Sequence, residues 1–350
     1  MQENVPEDDP TIEVEPLARW MDEQGLPGKG EPLTATFISG GASNEIFELR
    51  RGDTLMALRK PPRKVPKGRN EIMLREYRVI HALNDTDVPH PEGIAVCDDT
   101  SILGSCFYIM GHIDGFTPMG ELPSPFAESE ELRHQMAFEL VDGIAKLGQV
   151  DWRAAGLEGF GKPKGFLDRQ VDRWFAHLEK IKFRDLPGLE DAGAWLRTHT
   201  PADFTPGIIH GDYQFANVMF HNDTPARLAA IVDWEMATVG DPLLDLAWIL
   251  MTWPDPDEDR KQGYVDFTGM PSREELMHFY AERSGLPVDA MDYYIVLARF
   301  KMACVLEAGY ARYVQGGADN PKMAMFGDVV LDMAARAKQL AETSTLPATA

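Results

Sequence analysis

Cysteine is scarce. The 350 residues hold three, Cys97, Cys106 and Cys304, without Cys-x-x-Cys spacing. An odd, sparse count fits a reducing compartment rather than an oxidising one. Positive charge is also short: 34 Lys and Arg stand against 56 Asp and Glu, a net charge of −22. A general nucleic-acid binder needs a positive surface to displace counterions, so that class is disfavoured. An anionic membrane surface is disfavoured for the same reason. No apolar run reaches the roughly 18–20 residues of a membrane helix. Residues 1–15 are acidic, with neither the basic start nor the apolar stretch of a signal peptide. The expectation is a soluble cytoplasmic protein with no nucleic-acid or membrane partner. Acidity alone does not imply a cationic substrate, because it mostly serves solubility.

What is present is a chain that is 44% hydrophobic, enough for a sizeable core. Its length suits one large or two medium domains. Residues 1–15 read as a loose acidic tail. "PLARWMDEQGL" reads as a short helix with Leu17, Trp20 and Met21 on one face. "LTATFIS", "EIFELRR" and "TLMALRKPP" form a strand meander, with Gly52-Asp53 as its tighter turn. "RNEIMLREYRVIHAL" has helical spacing, and "GIAVCDD" and "CFYIMGHIDG" are further strands. Beyond Pro118 the pattern is mostly helical, with no internal repeat. The division is a tail (1–15), a sheet-rich lobe (16–112) and a helical lobe (113–350), with a linker near 111–120.

One stretch interrupts the helices: "IIHGDYQFANVMFHNDTPARLAAIVDWEMA", residues 208 to 237. Asp212 and Asn217 lie five apart at a loop mouth, and Asp233 follows sixteen residues later behind a strand-like run. A hairpin would return Asp233 beside Asn217. One anionic and one neutral oxygen ligand suit Mg²⁺, which keeps several waters and takes few protein ligands. Asp212 is left to face a hydroxyl. Metal holders and a hydroxyl-orienting base are what phosphoryl transfer needs.

"IIHGDYQFANVMF" followed by "IVDWEMA" resembles the catalytic and metal loops of aminoglycoside phosphotransferases and choline kinases, small-molecule relatives of the protein kinases. "ALRKPP", "GFLDRQVDRW" and "VDWEMATVGDPLLDLAW" are most similar to a branch that includes stand-alone bacterial phosphotransferases and the domain fused to some acyl-CoA dehydrogenases. The likeness runs over roughly residues 33–310. It implies an α+β, bilobal protein-kinase-like fold with a small mixed antiparallel-sheet N-lobe and a larger helical C-lobe. It implies ATP and Mg²⁺ as cofactors, Asp212 as the base for the acceptor hydroxyl, and Asn217 and Asp233 as metal ligands. His210 would orient the loop, and Asp245 would brace its backbone. Asp241, before Pro242, fits a helix cap.

The resemblance places ATP under the small lobe. Backbone amides of Gly41, Ala42, Ser43 and Asn44 in "FISGGASNEIFEL" would cover its phosphates. "LMALR" departs from the kinase Ala-x-Lys by placing Arg59 in the lysine slot. Ala57 and Arg59 share a strand face, so Arg59 is the residue expected in the cleft, with Lys60 a solvated edge charge. Glu76 is the expected helix partner of Arg59. Backbone near Met110 to His112 would meet the adenine edge, while the His112 side chain reads as an exposed histidine.

Only seven residues separate Asp233 from Asp241, too few for the activation segment of a protein kinase. A small-molecule hydroxyl acceptor follows. "GFGKPKGFLDRQVDRW" is the candidate acceptor wall, with Lys162, Lys164, Arg169, Arg173 and Trp174; it equally fits a helix with solvated charges. If it binds, its cations favour an anionic acceptor, and the branch suggests a hydroxyacyl-CoA or similar hydroxy compound. Trp248, Trp253 and Tyr310 read as core or cleft walls. The alternative is a weak nucleotide-binding pseudokinase serving as an interaction module, which Arg59 supports and the intact Asp212, Asn217 and Asp233 oppose. A metal hydrolase would need further His ligands that the spacing does not offer. No sequence signal speaks to oligomeric state.

Overall fold

The computed structural model describes residues 11–349 apart from 41–43, 63, 64, 66, 182, 255–257, 259, 261–264 and 318–321. Gly41, Ala42, Ser43 and most of the acidic tail therefore lie outside the described residues. Helix α1 (Val14–Glu23) comes first and buries Leu17, Trp20 and Met21. Its start at Val14 takes the last two residues of the expected tail into the fold.

Strands β1 (Leu33–Gly40), β2 (Glu45–Arg51), β3 (Thr54–Lys60), β4 (Gly93–Cys97) and β5 (Phe107–Gly111) form one sheet in the order β1-β2-β3-β5-β4. Every pairing is antiparallel. Arg51 pairs with Thr54 across the two-residue turn Gly52-Asp53, where Gly52 has φ 56°. Strand period sorts β3 between two faces. Met56 and Leu58 join Phe47, Leu49 and α1 in a small core. Ala57 and Arg59 take the other face, toward α2 (Arg69–Ala82).

Lys60 corrects the sequence reading. It is 4% exposed and pairs with Glu45 at 2.9 Å. The reason is the register: Glu45 stands directly across the β2–β3 ladder from Lys60, and the Pro61 carbonyl also accepts from its ammonium. A central strand flanked on both sides leaves no edge on which to solvate it.

Helix α2 sends Met73, Val79 and Ile80 into the large core, so it belongs to the sheet by sequence and to the helical lobe by packing. After the short α3 (Thr100–Leu103) and β5, the chain crosses between lobes. The crossing is docked: Phe116 and Phe220 exchange backbone hydrogen bonds of 2.9 and 2.8 Å. A Cβ on Gly115 would sit 2.4 Å from the Phe220 carbonyl, so only glycine fits there.

The helical lobe is built around α4 (Glu130–Gln149), capped by the Ser129 hydroxyl at the Leu132 amide. Helices α5 (Gln170–Leu178) and α6 (Leu189–Thr198) follow. Four short strands come next: β6 (Gly207–Ile209), β7 (Val218–Phe220), β8 (Leu228–Ile231) and β9 (Thr238–Gly240). β7 pairs with β8, and β6 with β9. Helices α7 (Leu243–Leu250), α8 (Arg273–Ser284), α9 (Met291–Val314) and α10 (Lys322–Thr343) complete the lobe. The sequence reading missed α3, α6 and β9. No helix among the described residues is long and apolar enough to cross a membrane.

Candidate active site

The loop after β6 is pinned by one buried carboxylate. Asp245, near the start of α7, accepts the backbone N–H of His210 at 2.6 Å and of Gly211 at 2.8 Å. Burial raises its pKa, and His210 and those two amides oppose the rise. The His210 ring is fully buried; its Nε2 lies 2.9 Å from the Val232 carbonyl, tying this loop to the next. Gly211 has φ 86°, and a Cβ there would lie 2.7 Å from the Met236 carbonyl. That close approach excludes an arginine of the protein-kinase kind at this position.

The next residue is Asp212. Its Oδ1 accepts from Gln214 Nε2 and Trp248 Nε1, both at 2.9 Å, and its Oδ2 accepts from Asn217 Nδ2 at 2.9 Å. Asn217 Nδ2 also donates to the Asp212 carbonyl at 2.7 Å, which leaves Asn217 Oδ1 as the acceptor atom of that amide. The β7–β8 hairpin brings the second acid close: Val218 pairs with Ile231, and the Val232 amide donates to the Asn217 carbonyl. Asp233 follows at φ 65°, a left-handed conformation that Asp and Asn tolerate best among non-glycine residues.

Asp233 is tied across the lobes. Arg59 Nη2 donates to its Oδ1 at 2.6 Å, and Arg59 Nε lies 2.9 Å from Glu76 Oε2. The contact with Glu76 is ionic rather than an aligned hydrogen bond. Burial disfavours charge on Arg59, but Tyr108, Glu76 and Asp233 outweigh it, so the guanidinium stays firmly cationic. Glu76 is fully buried; burial pushes its pKa up despite Arg59, and the Tyr108 hydroxyl donates to it at 3.1 Å. A second bridge runs alongside. Arg69 donates to Glu235 at 2.7 Å and to Asn44 Oδ1 at 3.2 Å. Glu76, Asp233 and Glu235 thus form an acidic trio whose charge Arg59 and Arg69 already compensate. One carboxylate and one amide oxygen, Asp233 and Asn217, are hard donors that suit Mg²⁺.

At the hinge, the Gly111 amide is taken by the Glu92 carbonyl, and Met110 pairs with Ala57 and Gly93. The His112 ring is 3.5 Å from Glu48 and only a quarter exposed, less open than the sequence reading held.

Two cavities flank the loop. One, about 430 Å³, is lined by Gly211, Trp248 and Trp174 with Lys162, Arg173 and Lys301 among its cations. Arg169 also lines it, but its guanidinium spans the carbonyls of Lys162 and Lys164 and so braces that loop. Lys162 and Arg173 have no ion-pair partner among the described residues. Trp174 is a buried wall. The other, about 580 Å³, is mainly apolar, with Phe215, Ile249, Trp253, Phe267 and Met333, and reaches Gln214. The sequence reading placed Trp248 as a core or cleft wall, which it is, but missed its bond to Asp212, and it missed Lys301. The available signal was a lone lysine inside the apolar run "YYIVLARFKMACVL".

The family described as "Phosphotransferase enzyme family" matches residues 34–277. Acyl-CoA dehydrogenase family member 11 of Gallus gallus is 32% identical over 89% of this chain and 40% of its own length. The Homo sapiens protein of that name is 31% identical over 91% of this chain and 42% of its own. The chain thus spans about two fifths of these curated relatives. Among solved structures, a putative aminoglycoside phosphotransferase from Ralstonia eutropha JMP134 superposes with TM-score 0.83 at 29% identity, over 97% of this chain and all of that one. Aminoglycoside phosphotransferase APH(4)-Ia, in a ternary complex with ADP and hygromycin B, gives TM-score 0.59 at 14% identity, over 93% of this chain and 98% of that one, a likeness of fold. The fold is the bilobal, protein-kinase-like one.

Proposed function

Because this chain belongs to the phosphotransferase enzyme family, we propose that it transfers the γ-phosphate of ATP, with Mg²⁺, to a hydroxyl of a small anionic acceptor. The observation that carries this reading is the Asp212 carboxylate, fixed by three side-chain donors beside Asn217 and the strand that delivers Asp233. Asp212 accepts the hydrogen bond of the acceptor hydroxyl. As the new O–P bond forms and the bond to ADP breaks, the hydroxyl proton passes to Asp212. Asn217 Oδ1 and Asp233 would hold the metal, which supplies charge compensation for the phosphates. Arg59, freed from Asp233, turns its fork toward phosphate oxygens, with Glu76 holding its other edge. As the resemblance implies, the phosphates are assigned to the backbone amides of Gly41, Ala42, Ser43 and Asn44, and the base to backbone between Met110 and His112. His210 and Asp245 hold the loop. We keep the boundary at 112/113, between a nucleotide lobe that starts with α1 at Val14 and an acceptor lobe (113–350).

The acceptor class follows from the cavities. Lys162, Arg173 and Lys301 at one side of the loop favour a negative group, in a chain whose net charge is −22. The apolar cavity at Gln214 favours a hydrocarbon part. A hydroxyacyl-CoA has both parts; a polycationic aminoglycoside has neither. The names of the dehydrogenase relatives point the same way.

A mass-shift screen with Mg-ATP against hydroxyacyl-CoAs, sugars, aminoglycosides and choline-like alcohols tests this. Gain of one phosphoryl group on a hydroxyacyl-CoA is expected, falling about a thousandfold in Asp212→Asn. Phosphorylation of aminoglycosides alone would refute the acceptor class. ADP formation no faster than in Asp212→Asn would refute the transferase and favour the pseudokinase module.

A further inference from the structure

Trp248 is 6% exposed and lies one helical turn beyond Asp245 on α7. Its indole N–H donates to Asp212 Oδ1 at 2.9 Å. Lys301, from the middle of α9, places its ammonium 4.2 Å from the centroid of the same indole. That ammonium also donates to the Gly211 carbonyl at 2.6 Å. One cation thus holds both the backbone just before Asp212 and the ring that reaches its carboxylate.

We propose that Trp248 and Lys301 are a positioning pair for the phosphotransfer step: together they fix the Asp212 carboxylate so that it meets the acceptor hydroxyl in one orientation. This rests on the reading of Asp212 given above. Neither residue need touch the acceptor to act this way. A carboxylate turns easily about its last side-chain bond, and a misaligned base loses rate without losing ATP affinity. Asn217 holds Oδ2, and Gln214 reaches Oδ1 from a partly exposed position. The indole is the rigid donor to Oδ1, because packing and the cation lock its plane. Burial lowers the Lys301 pKa to about 8, against the pull of Asp212 and Asp245 and with Arg173 adding to the fall. The fold keeps a lysine where burial disfavours its charge.

The pair can be tested without knowing the acceptor. In protein labelled with ¹⁵N at its seven tryptophans, Trp248→Phe removes and thereby assigns one indole signal. That signal should move strongly in Asp212→Asn and stay in place in Asp233→Asn. An assigned signal indifferent to Asp212→Asn would overturn the proposal. In turnover, Trp248→Phe keeps a ring for Lys301 but removes the N–H together with part of the buried indole. Its kcat for ADP formation should fall about tenfold, with KM for ATP unchanged. Lys301→Met, which loosens both the ring and Gly211, should show the same split and serves if Trp248→Phe folds poorly. Wild-type kcat in Trp248→Phe beside an inactive Asp212→Asn would overturn the positioning role alone. Equal ADP formation in wild type and Asp212→Asn would overturn the phosphotransfer reading instead, and the indole signal would still decide the contact.

Discussion

Asp212 and Asp233 follow β6 and β8, strands of two separate two-stranded sheets, and are held in opposite ways. Among the described residues, every donor to the Asp212 carboxylate comes from its own lobe, and Asp245 fastens the backbone before it. Asp233 stands in a left-handed conformation with its side chain 38% exposed, and its hydrogen-bond donor is Arg59 of the other lobe. The first acid is preorganised whatever the lobes do. The second is aimed by the contact between lobes. The proposed chemistry fits that split: the hydroxyl base needs one fixed direction, while the metal ligand meets its ion only once Arg59 leaves it for the nucleotide phosphates.

The largest effect that can break this comparison is expected from Asp233→Asn. Asparagine tolerates the left-handed backbone and can still accept from Arg59, so the fold should survive. The anionic oxygen is lost, and ADP formation should fall about a hundredfold and need far more Mg²⁺ to saturate. A Mg²⁺ titration of turnover checks it; wild-type Mg²⁺ dependence would remove Asp233 from the metal site.

Asp245→Asn should do the reverse. Two buried amides share the Asp245 carboxylate, and an asparagine can accept only one of them while facing the other with N–H. A loss of roughly 3 kcal/mol is expected in urea unfolding: the lost bond to a charged acceptor contributes about 1.5–3 kcal/mol, and the kept one weakens on a neutral amide. Stability unchanged in this variant would mean that the catalytic loop is not held from α7.

The same contrast explains what the sequence could disclose. Asp212, Asn217 and Asp233 are legible because a local hairpin joins them and their spacing is short. Arg59 is legible because strand alternation decides its face from two residues away. The Trp248 bond to Asp212 and the place of Lys301 are not, because the Lys301–Gly211 contact spans 90 positions and depends on how α9 packs. Lys60 misled because its burial depends on the Glu45 register and the Pro61 carbonyl, neither of which periodicity reports. Helix α6 was missed although Leu189, Ala192, Gly193 and Leu196 make one buried face: glycine reads as a breaker, yet a Cβ at Gly193 would meet the Phe175 ring at 2.6 Å. Strand β9 is three residues long and exists only as the partner of β6.

The smallest effect sharpens the pinned half. Asp241, 1% exposed, stands just before the capping residue Pro242 rather than at the cap; it accepts the Leu243 amide, the first of α7, and the Tyr294 hydroxyl of α9 at 2.7 Å. It thereby sets the start of the helix that carries Asp245 and Trp248. Burial pushes its pKa up to about 6 from the ordinary 3.8, against those two hydrogen bonds. Between these values the folded protein holds a proton that the unfolded chain has released. The stabilisation is therefore fully present below pH 3.8 and is lost as pH rises through about 6. Asp241→Asn cannot titrate, so the stability of the wild type relative to this variant should decline by up to roughly 3 kcal/mol across that window. The constant cost of exchanging an acceptor for an amide shifts the whole difference without changing its slope. Urea unfolding of both proteins at pH 4, 5, 6 and 7 measures it. A flat difference would mean that Asp241 is ionised throughout and that the α7–α9 junction carries no buried proton.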